Sequence, residues 1–468
     1  MDNNLPEKTE EKAKFSKVKY QYVAAFIVNL VTFCQGFNSG WLSPSLQTLQ
    51  SEDSPLNSGP ITTQQTMLLG ILSSIGGLIG TIIFSSLSHY LGRINSIRLI
   101  AFPSLIFVII LITSNSIEVI LIGRLIDGLT MGGMFVCIPL YITEISDSRI
   151  RGRLLLTCVS INNLGVLVAY TCGAFMAYEN VPYVVIGVPA VFLILMAFLP
   201  ETPYALLKED KVELAKDSLR FFYNGNKTDN DEFDSEVELK KIRILISERQ
   251  AAEQQKNVKL LFERSSLKAL GLALSLLSMV VMSGTFAIST YASHVFKQSN
   301  ADFDANISAI IMGTLQNVAI YASSLLIDSW GRRILFGLSS CLSGIALIIF
   351  GTFSFLNYSG VDMTAVFWLP VTSVSLFIFV NGAGMRPLPF VYVAEVLPDN
   401  IRNIGTTVCM LAFIGMQILS IGTLPILIEV IKLHTLIWMY AGVCFVGVLF
   451  AVFVMEETKG KRLNASKS

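Results

Sequence analysis

Apolar runs of similar length alternate with short polar connections along most of the chain. They cover residues 20–42, 66–91, 96–113, 119–142, 154–176 and 182–199, and resume after a polar stretch at 268–292, 306–328, 334–356, 365–388, 403–424 and 434–455. A helix that crosses a bilayer needs about 20 predominantly apolar residues. Each run therefore predicts one transmembrane helix, and the chain reads as an all-α membrane protein of twelve spans embedded in a lipid bilayer. The pattern divides it into an N-terminal tail (1–19), a six-helix bundle (20–199), a helical linker (200–267), a second six-helix bundle (268–455) and a C-terminal tail (456–468). Several runs contain Gly and Pro, as in Ile75-Gly76-Gly77-Leu78 and from Gly132 to Pro139. Membrane helices tolerate them because neighbouring helices and water re-satisfy the backbone.

Composition removes the competing classes. The 468 residues are 53% hydrophobic and 15% charged, with a mean hydropathy of +0.61. A soluble chain carries about 25% charged residues, so a multidomain soluble protein, a disordered chain and a collagen-like one are all excluded. The balance of 34 basic and 34 acidic residues gives no reason to expect a nucleic-acid partner. Seven cysteines, all within apolar runs, form no disulfide framework and no zinc spacing. No metal or other cofactor is expected, and protein partners are not legible. The Lys- and Glu-rich first 19 residues lack the apolar core and cleavage site of a signal peptide.

The basic residues orient the spans, since they concentrate in cytoplasmic loops. With the N-terminus inside, 30 of the 34 Lys and Arg fall on the cytoplasmic side. Lys297 and Lys432 fall outside, and Arg124 and Arg386 lie in or beside spans. Both termini and the 200–267 stretch are thus expected in the cytoplasm, with the plasma membrane as the default location. In that stretch Leu206, Leu207, Leu214 and Leu219 sit among charges as on amphipathic helices. Residues 236–255 also read as helix, Asn224–Asp234 as a loop, and the whole as a small helical bundle under the membrane domain.

The two six-span halves repeat the same signals in the same order. His89-Tyr90-Leu91-Gly92-Arg93 in the 2–3 loop matches Asp328-Ser329-Trp330-Gly331-Arg332-Arg333 in the 8–9 loop. Glu144 followed by Arg151 at the end of span 4 matches Glu395 followed by Arg402 at the end of span 10. Pro200-Glu201-Thr202-Pro203 closes the first half as Glu456-Glu457-Thr458-Lys459 closes the second. All these charges fall at cytoplasmic span ends. Arg93, Arg332 and Arg333 are expected to pair with Glu144, Glu395, Glu201 or Glu457, forming a cytoplasmic gate between bundles that rock against each other.

Gly123-Arg124, Tyr141-x-x-Glu144 with Arg151-Gly152, Pro200-Glu201-Thr202-Pro203, Asp328 to Arg333, Pro387-Leu388-Pro389 and Glu457-Thr458-Lys459-Gly460 together resemble the signatures of the sugar porter family of the major facilitator superfamily. The resemblance covers about residues 20–460. Ser283 to Ala287 and Asn306 to Ile311 are similar to the insect facilitated trehalose and hexose transporter branch. It implies two six-helix bundles, a central sugar site contributed by spans 1, 5, 7, 8, 10 and 11, and a gate of the charges named above. The chain also departs from the pattern. His89 stands where the family has an acid, Tyr204 where a basic residue is frequent, and Phe390 where Trp is common. The polar positions of the family's glucose site fall on Val159, Val280, Val281, Phe286, Phe413 and Ile414, whereas the span 8 position survives as Gln316.

A neutral sugar needs hydrogen-bonding side chains and aromatic faces. The candidates are Gln316 and Asn317 in span 8, Asn38 in span 1, Asn162 and Asn163 in span 5, Thr285 in span 7, and Asn381 and Phe390 in span 10, with Phe286 and Trp368 as further stacking surfaces. Asp127, three residues after Arg124, is expected to form an ion pair with it on the outer side. The resemblance also implies that an acid in the Gly-x-Asp pattern of span 1 carries the proton in coupled members. Here the pattern is Gly36-Phe37-Asn38, so facilitated, uncoupled transport of a hexose or trehalose, without catalysis, is expected. A sugar sensor on the same scaffold and a carrier of another polar or anionic solute through Arg386 remain alternatives. Asn357, in the sequon Asn357-Tyr358-Ser359, is the candidate glycosylation site.

Overall fold

In the computed structural model, twelve helices are long and apolar enough to cross a membrane. The structure describes residues 18–147, 149–223, 239–240, 242–244, 246–247, 263–299, 304–398, 401–455 and 457, without the side chains of Ser265, Ser324, Asp328, Ala394, Arg402 and Asn403. Spans 1 to 6 are Val18–Leu49, Thr63–Tyr90, Arg93–Thr113, Ile117–Ile145, Arg151–Phe175 and Tyr178–Met196. Spans 7 to 12 are Ser266–Thr290, Ala305–Ile327, Arg332–Tyr358, Thr364–Val393, Ile404–Ile431 and Leu433–Phe453.

Spans 1 and 11 extend about two turns beyond their apolar runs because their prolines do not break them. Pro44 lies inside span 1, and its ring fills the space over Gly173, where a Cβ would come within 2.3 Å of it. Spans 2 and 4 approach backbone to backbone. A Cβ on Gly128 would stand 2.2 Å from the Ser73 carbonyl oxygen, and one on Gly76 would stand 2.1 Å from that of Leu125. Small residues permit this approach, and dispersion contacts between the backbones hold it. Large apolar side chains such as Ile82, Phe135 and Leu325 point outward and are well over half exposed, the inverse of a soluble surface and the face that lipid covers.

The linker begins with the helices Pro203–Lys208 and Val212–Phe222. Leu206, Leu207, Ala215, Leu219 and Leu239 form a small core of their own. Leu214 differs from expectation: it lies 55% exposed on the other face. The expected loop at 224–234 and most of the expected helix at 236–255 lie outside the described residues.

The cores show how the halves meet. On the side that carries the described chain ends, which we call the terminal side, each half has its own buried clusters. On the far side a single cluster takes residues from both halves, among them Phe37, Trp41 and Tyr170 with Ile288, Tyr291 and Met312. Polar contacts follow the same division. Ser43 Oγ accepts from the Ser293 amide at 2.9 Å, Tyr291 donates to the Thr66 carbonyl at 3.3 Å, and Gln47 Nε2 donates to Asn306 Oδ1 at 3.2 Å. All of these lie at far-side ends. Every ion pair among the described residues stays within one half or within the linker. The halves are therefore joined on the far side and along spans 5 and 8, and part from there toward the terminal side into a cleft.

Candidate functional site

The cleft narrows where spans 5 and 8 touch. Gln316 Nε2 donates to Asn163 Oδ1 at 3.4 Å, and Asn317 Nδ2 donates to the Asn163 carbonyl at 3.2 Å. Above them Tyr170 donates to the Ser289 carbonyl at 2.6 Å, and below them the hydroxyls of Ser160 and Tyr321 lie 2.7 Å apart. Three of the expected residues thus meet at the contact between the halves. Gln316 is buried, and its Oε1 has no partner among the described residues. A buried orphan acceptor is unfavourable until a donor reaches it, and a ligand hydroxyl is such a donor.

Spans 7 and 10 belong to the same half as span 8, and the middle of span 10 packs on span 8, where a Cβ on Gly382 would meet the Ala319 Cβ at 3.0 Å. Span 7 breaks at Gly284, whose φ of +81° and tight approach to the Tyr440 ring, 2.3 Å from a built Cβ, admit only glycine. Thr285 and Phe286 restart the helix. In span 10, Asn381–Met385 forms a π-helical turn, a local widening that recurs at functional sites. Asn381 Nδ2 reaches Ser283 Oγ at 3.5 Å, and its Oδ1 is another buried acceptor without a partner among the described residues. Phe286, Phe413 and Phe390 form an edge-to-face series with ring centroids 5.5 and 5.2 Å apart. Phe390 is 37% exposed. Trp368 is not near this series: it lies at the far-side end of span 10.

Two expected residues serve the first half internally. Asn162 Nδ2 donates to the Thr32 carbonyl at 3.2 Å and braces span 5 on span 1. Asn38 Nδ2 donates to Asp127 Oδ1 at 2.7 Å and to Ser104 Oγ at 3.0 Å. Arg124 pairs with Asp127 at 3.7 Å, but inside the bundle and not at its outer surface, since both are buried. The guanidinium also donates to the carbonyls of Leu69 and Asn38 at 3.1 and 3.0 Å. These bonds tie spans 1, 2, 3 and 4 together.

The repeated charges at the terminal side form two matching arrangements. Arg93 donates to Glu144 at 3.1 Å and to the Ser88 carbonyl at 2.6 Å. Arg332 donates to Glu395 at 3.1 Å and to the Ile327 carbonyl at 3.1 Å. Among the described residues, the other two acids take backbone amides. Glu201 accepts from the Ile94 amide at 3.0 Å, and Glu457 from the Arg332 and Arg333 amides at 3.0 and 3.1 Å. Each thus caps the N-terminus of a span, where free amides and the helix dipole favour a carboxylate. Arg333 turns instead to the Ala451 and Val452 carbonyls at the C-terminal end of span 12. Arg151 donates to the Ser146 carbonyl at 3.2 Å. The side chains of Asp328 and Arg402 lie outside the described set. His89 lies 2.7 Å from Lys208 Nζ, joining the linker to span 2.

A family model described as Sugar (and other) transporter matches residues 22–467. The chain belongs to this transporter family. It is 30% identical to the facilitated trehalose transporter Tret1 of Culex quinquefasciatus over 446 residues, 95% of this chain and 84% of that one. The Tret1 of Aedes aegypti is 29% identical, and there the chain spans 54% of a longer protein. The xylose transporter XylE from E. coli, in an inward-open conformation, superposes with a TM-score of 0.77 at 17% identity, covering 94% of this chain and 98% of that one. This is the major facilitator fold.

In this sugar transporter family chain, Asn357 is not in a loop. It occupies the last turn of span 9, and its Nδ2, the atom a glycan would take, donates to the Ser299 carbonyl at 3.1 Å. Tyr170 and Tyr321, which bridge the halves, and Gln35, which reaches Asp127 at 3.5 Å, escaped the sequence reading. A tyrosine in an apolar run looks like core, and only the partner on the other half distinguishes it.

Proposed function

We propose that the protein is a facilitative carrier that moves a hexose or trehalose down its gradient by alternating access, in the plasma membrane, with the terminal side in the cytoplasm. The observation that carries this reading is the meeting of the two halves at Gln316 and Asn163, with acceptors on Gln316 and Asn381 that have no partner among the described residues. Sugar hydroxyls would satisfy those acceptors, and the Phe286, Phe413 and Phe390 rings would take the apolar face of the pyranose. Rocking of one half against the other would then open the far side. On that motion the charges at the terminal side, now held within their own halves, would meet across the closing cleft. No covalent bond is made or broken.

Uncoupled transport is supported by Asn38, which cannot ionise, and by the engagement of Asp127 with Arg124, Asn38 and Gln35. The names of the insect relatives favour trehalose. The test is uptake of labelled glucose, fructose and trehalose into proteoliposomes, with and without a pH gradient. Saturable uptake that ignores the gradient is the expected result. Folded, oriented protein that carries none of the three would overturn the reading, and uptake that follows the gradient would overturn the uncoupled mechanism.

A further inference from the structure

Arg386 is the residue that a site for neutral sugar does not account for. It follows the π-helical turn of span 10, where its amide donates back to the Asn381 carbonyl at 2.8 Å. Its guanidinium carbon stands 4.7 Å from the centroid of the Phe286 ring in span 7. Phe286 lies toward the far-side end of span 7, so this contact holds the charge deep in the span, and not at the terminal surface where a snorkelling side chain would end. The residue is half-buried.

Arg124 shows what compensation looks like in this chain: a carboxylate and two carbonyls surround it. Arg386 has only a ring face. Among the described residues, no carboxylate lies within ion-pair distance of it and no acceptor hydrogen-bonds its guanidinium. An ionisable side chain within a span is expensive and marks a functional site by default. A planar guanidinium with five free donors fits a carboxylate in a two-point contact. The orphan acceptors on Gln316 and Asn381 call for hydroxyl donors, and the phenylalanine series calls for an apolar ring face.

We infer that the cleft takes a pyranose bearing one carboxylate, a hexuronate-class sugar acid, with Arg386 on the carboxylate and Gln316 and Asn381 on the hydroxyls. This deepens the carrier reading and rests on it. A single unpaired cation suits a monoanion.

The test compares D-glucuronate, its uncharged methyl ester and D-glucose on the purified full-length protein, by thermal protection and by proteoliposome uptake. Ligand that binds only the folded protein raises the melting temperature. Glucuronate should protect at concentrations about tenfold or more below the ester, the margin of one charge-assisted contact. In an Arg386→Gln protein that margin should vanish. Equal protection by glucuronate and ester in the unmodified protein, which needs no variant to fold, would overturn the inference, as would a margin that survives the substitution. Neutral sugar uptake without glucuronate binding sinks the inference and leaves the carrier of neutral sugar standing. Binding of none of the three sinks the inference, and the carrier reading is then decided by the uptake of trehalose and fructose.

Discussion

The Glu201 carboxylate occupies the space that a side chain at Gly92 would take: a Cβ built there comes within 2.6 Å of Oε2. Gly331 and Glu457 repeat the relation at 2.7 Å, and both glycines have a φ of +83° with extended ψ. Only glycine is at ease in that backbone region. Gly92→Ala and Gly331→Ala should each destabilise the fold by roughly 1–3 kcal/mol through strain and a displaced cap. Thermal unfolding in detergent measures this, and a melting temperature equal to that of the parent would contradict it.

The two copies of the arginine pair differ in burial. The Arg93 and Glu144 side chains are 11% and 4% exposed, whereas Arg332 and Glu395 are 14% and 28% exposed. Loss of one partner hurts more where the other stays dry. Arg93→Ala should cost about 3 kcal/mol and Arg332→Ala nearer about 1 kcal/mol. Equal melting shifts for the two variants would show that burial does not set the difference.

Closure of the far side can be trapped. The Ser43 and Ser293 hydroxyl oxygens lie 3.1 Å apart, one in each half. A Ser43→Cys, Ser293→Cys protein should form a disulfide under mild oxidation, stop transporting, and recover with reductant. Full transport by cross-linked protein, with the bond located by mass spectrometry, would exclude rocking about this contact as the transport motion.

Gln316→Ala removes a buried acceptor without a partner, together with a 3.4 Å bond to Asn163. The half-saturation concentration for the transported sugar should rise about tenfold, the worth of one hydrogen bond in a dry site, with little change in melting temperature. An unchanged half-saturation would remove Gln316 from the sugar site.

Glu201 gives the terminal side a pH dependence. Burial holds its carboxyl above the ordinary range, Glu144 adds to the effect, and amide donors including Thr202 and Ile94 oppose it. An acid raised in the folded state binds its proton more tightly there. Its contribution to stability is complete below the unfolded carboxyl's pKa and fades as pH rises through the folded one. The melting temperature of the parent relative to Glu201→Gln should therefore fall as pH rises above the ordinary carboxyl pKa of about 4.3. A relative melting temperature that rises over that range would reverse the sign of the argument.

Most of the architecture was legible because it rests on averages. Twenty apolar residues in a row announce a span whatever their order, and a duplicated bundle repeats its charges at corresponding ends. What the sequence hid is direction. Glu201, Glu457 and Arg333 carry the expected charges, but the acids face helix amides and Arg333 faces helix carbonyls, because span ends offer unpaired backbone groups at short range. Asn38 and Asn162 have the right chemistry for sugar, but their amide nitrogens donate inside their own half, and Asn38 Oδ1 is a buried acceptor with no partner among the described residues. Gln316, Asn317 and Asn163 were found as residues, yet their convergence depends on how spans 5 and 8 cross, which no local pattern encodes.

Lys432 is the whole connection between spans 11 and 12, held at a φ of +69°. A joint of one residue has no slack, so a tilt of span 11 drags span 12 with it. Spans 7 and 10 of the same half are interrupted instead, at Gly284 and at the π-helical turn after Val380. Those two interruptions frame Phe286 and Arg386, so a tilt passed rigidly through spans 11 and 12 meets its least regular helix geometry at the proposed ligand site.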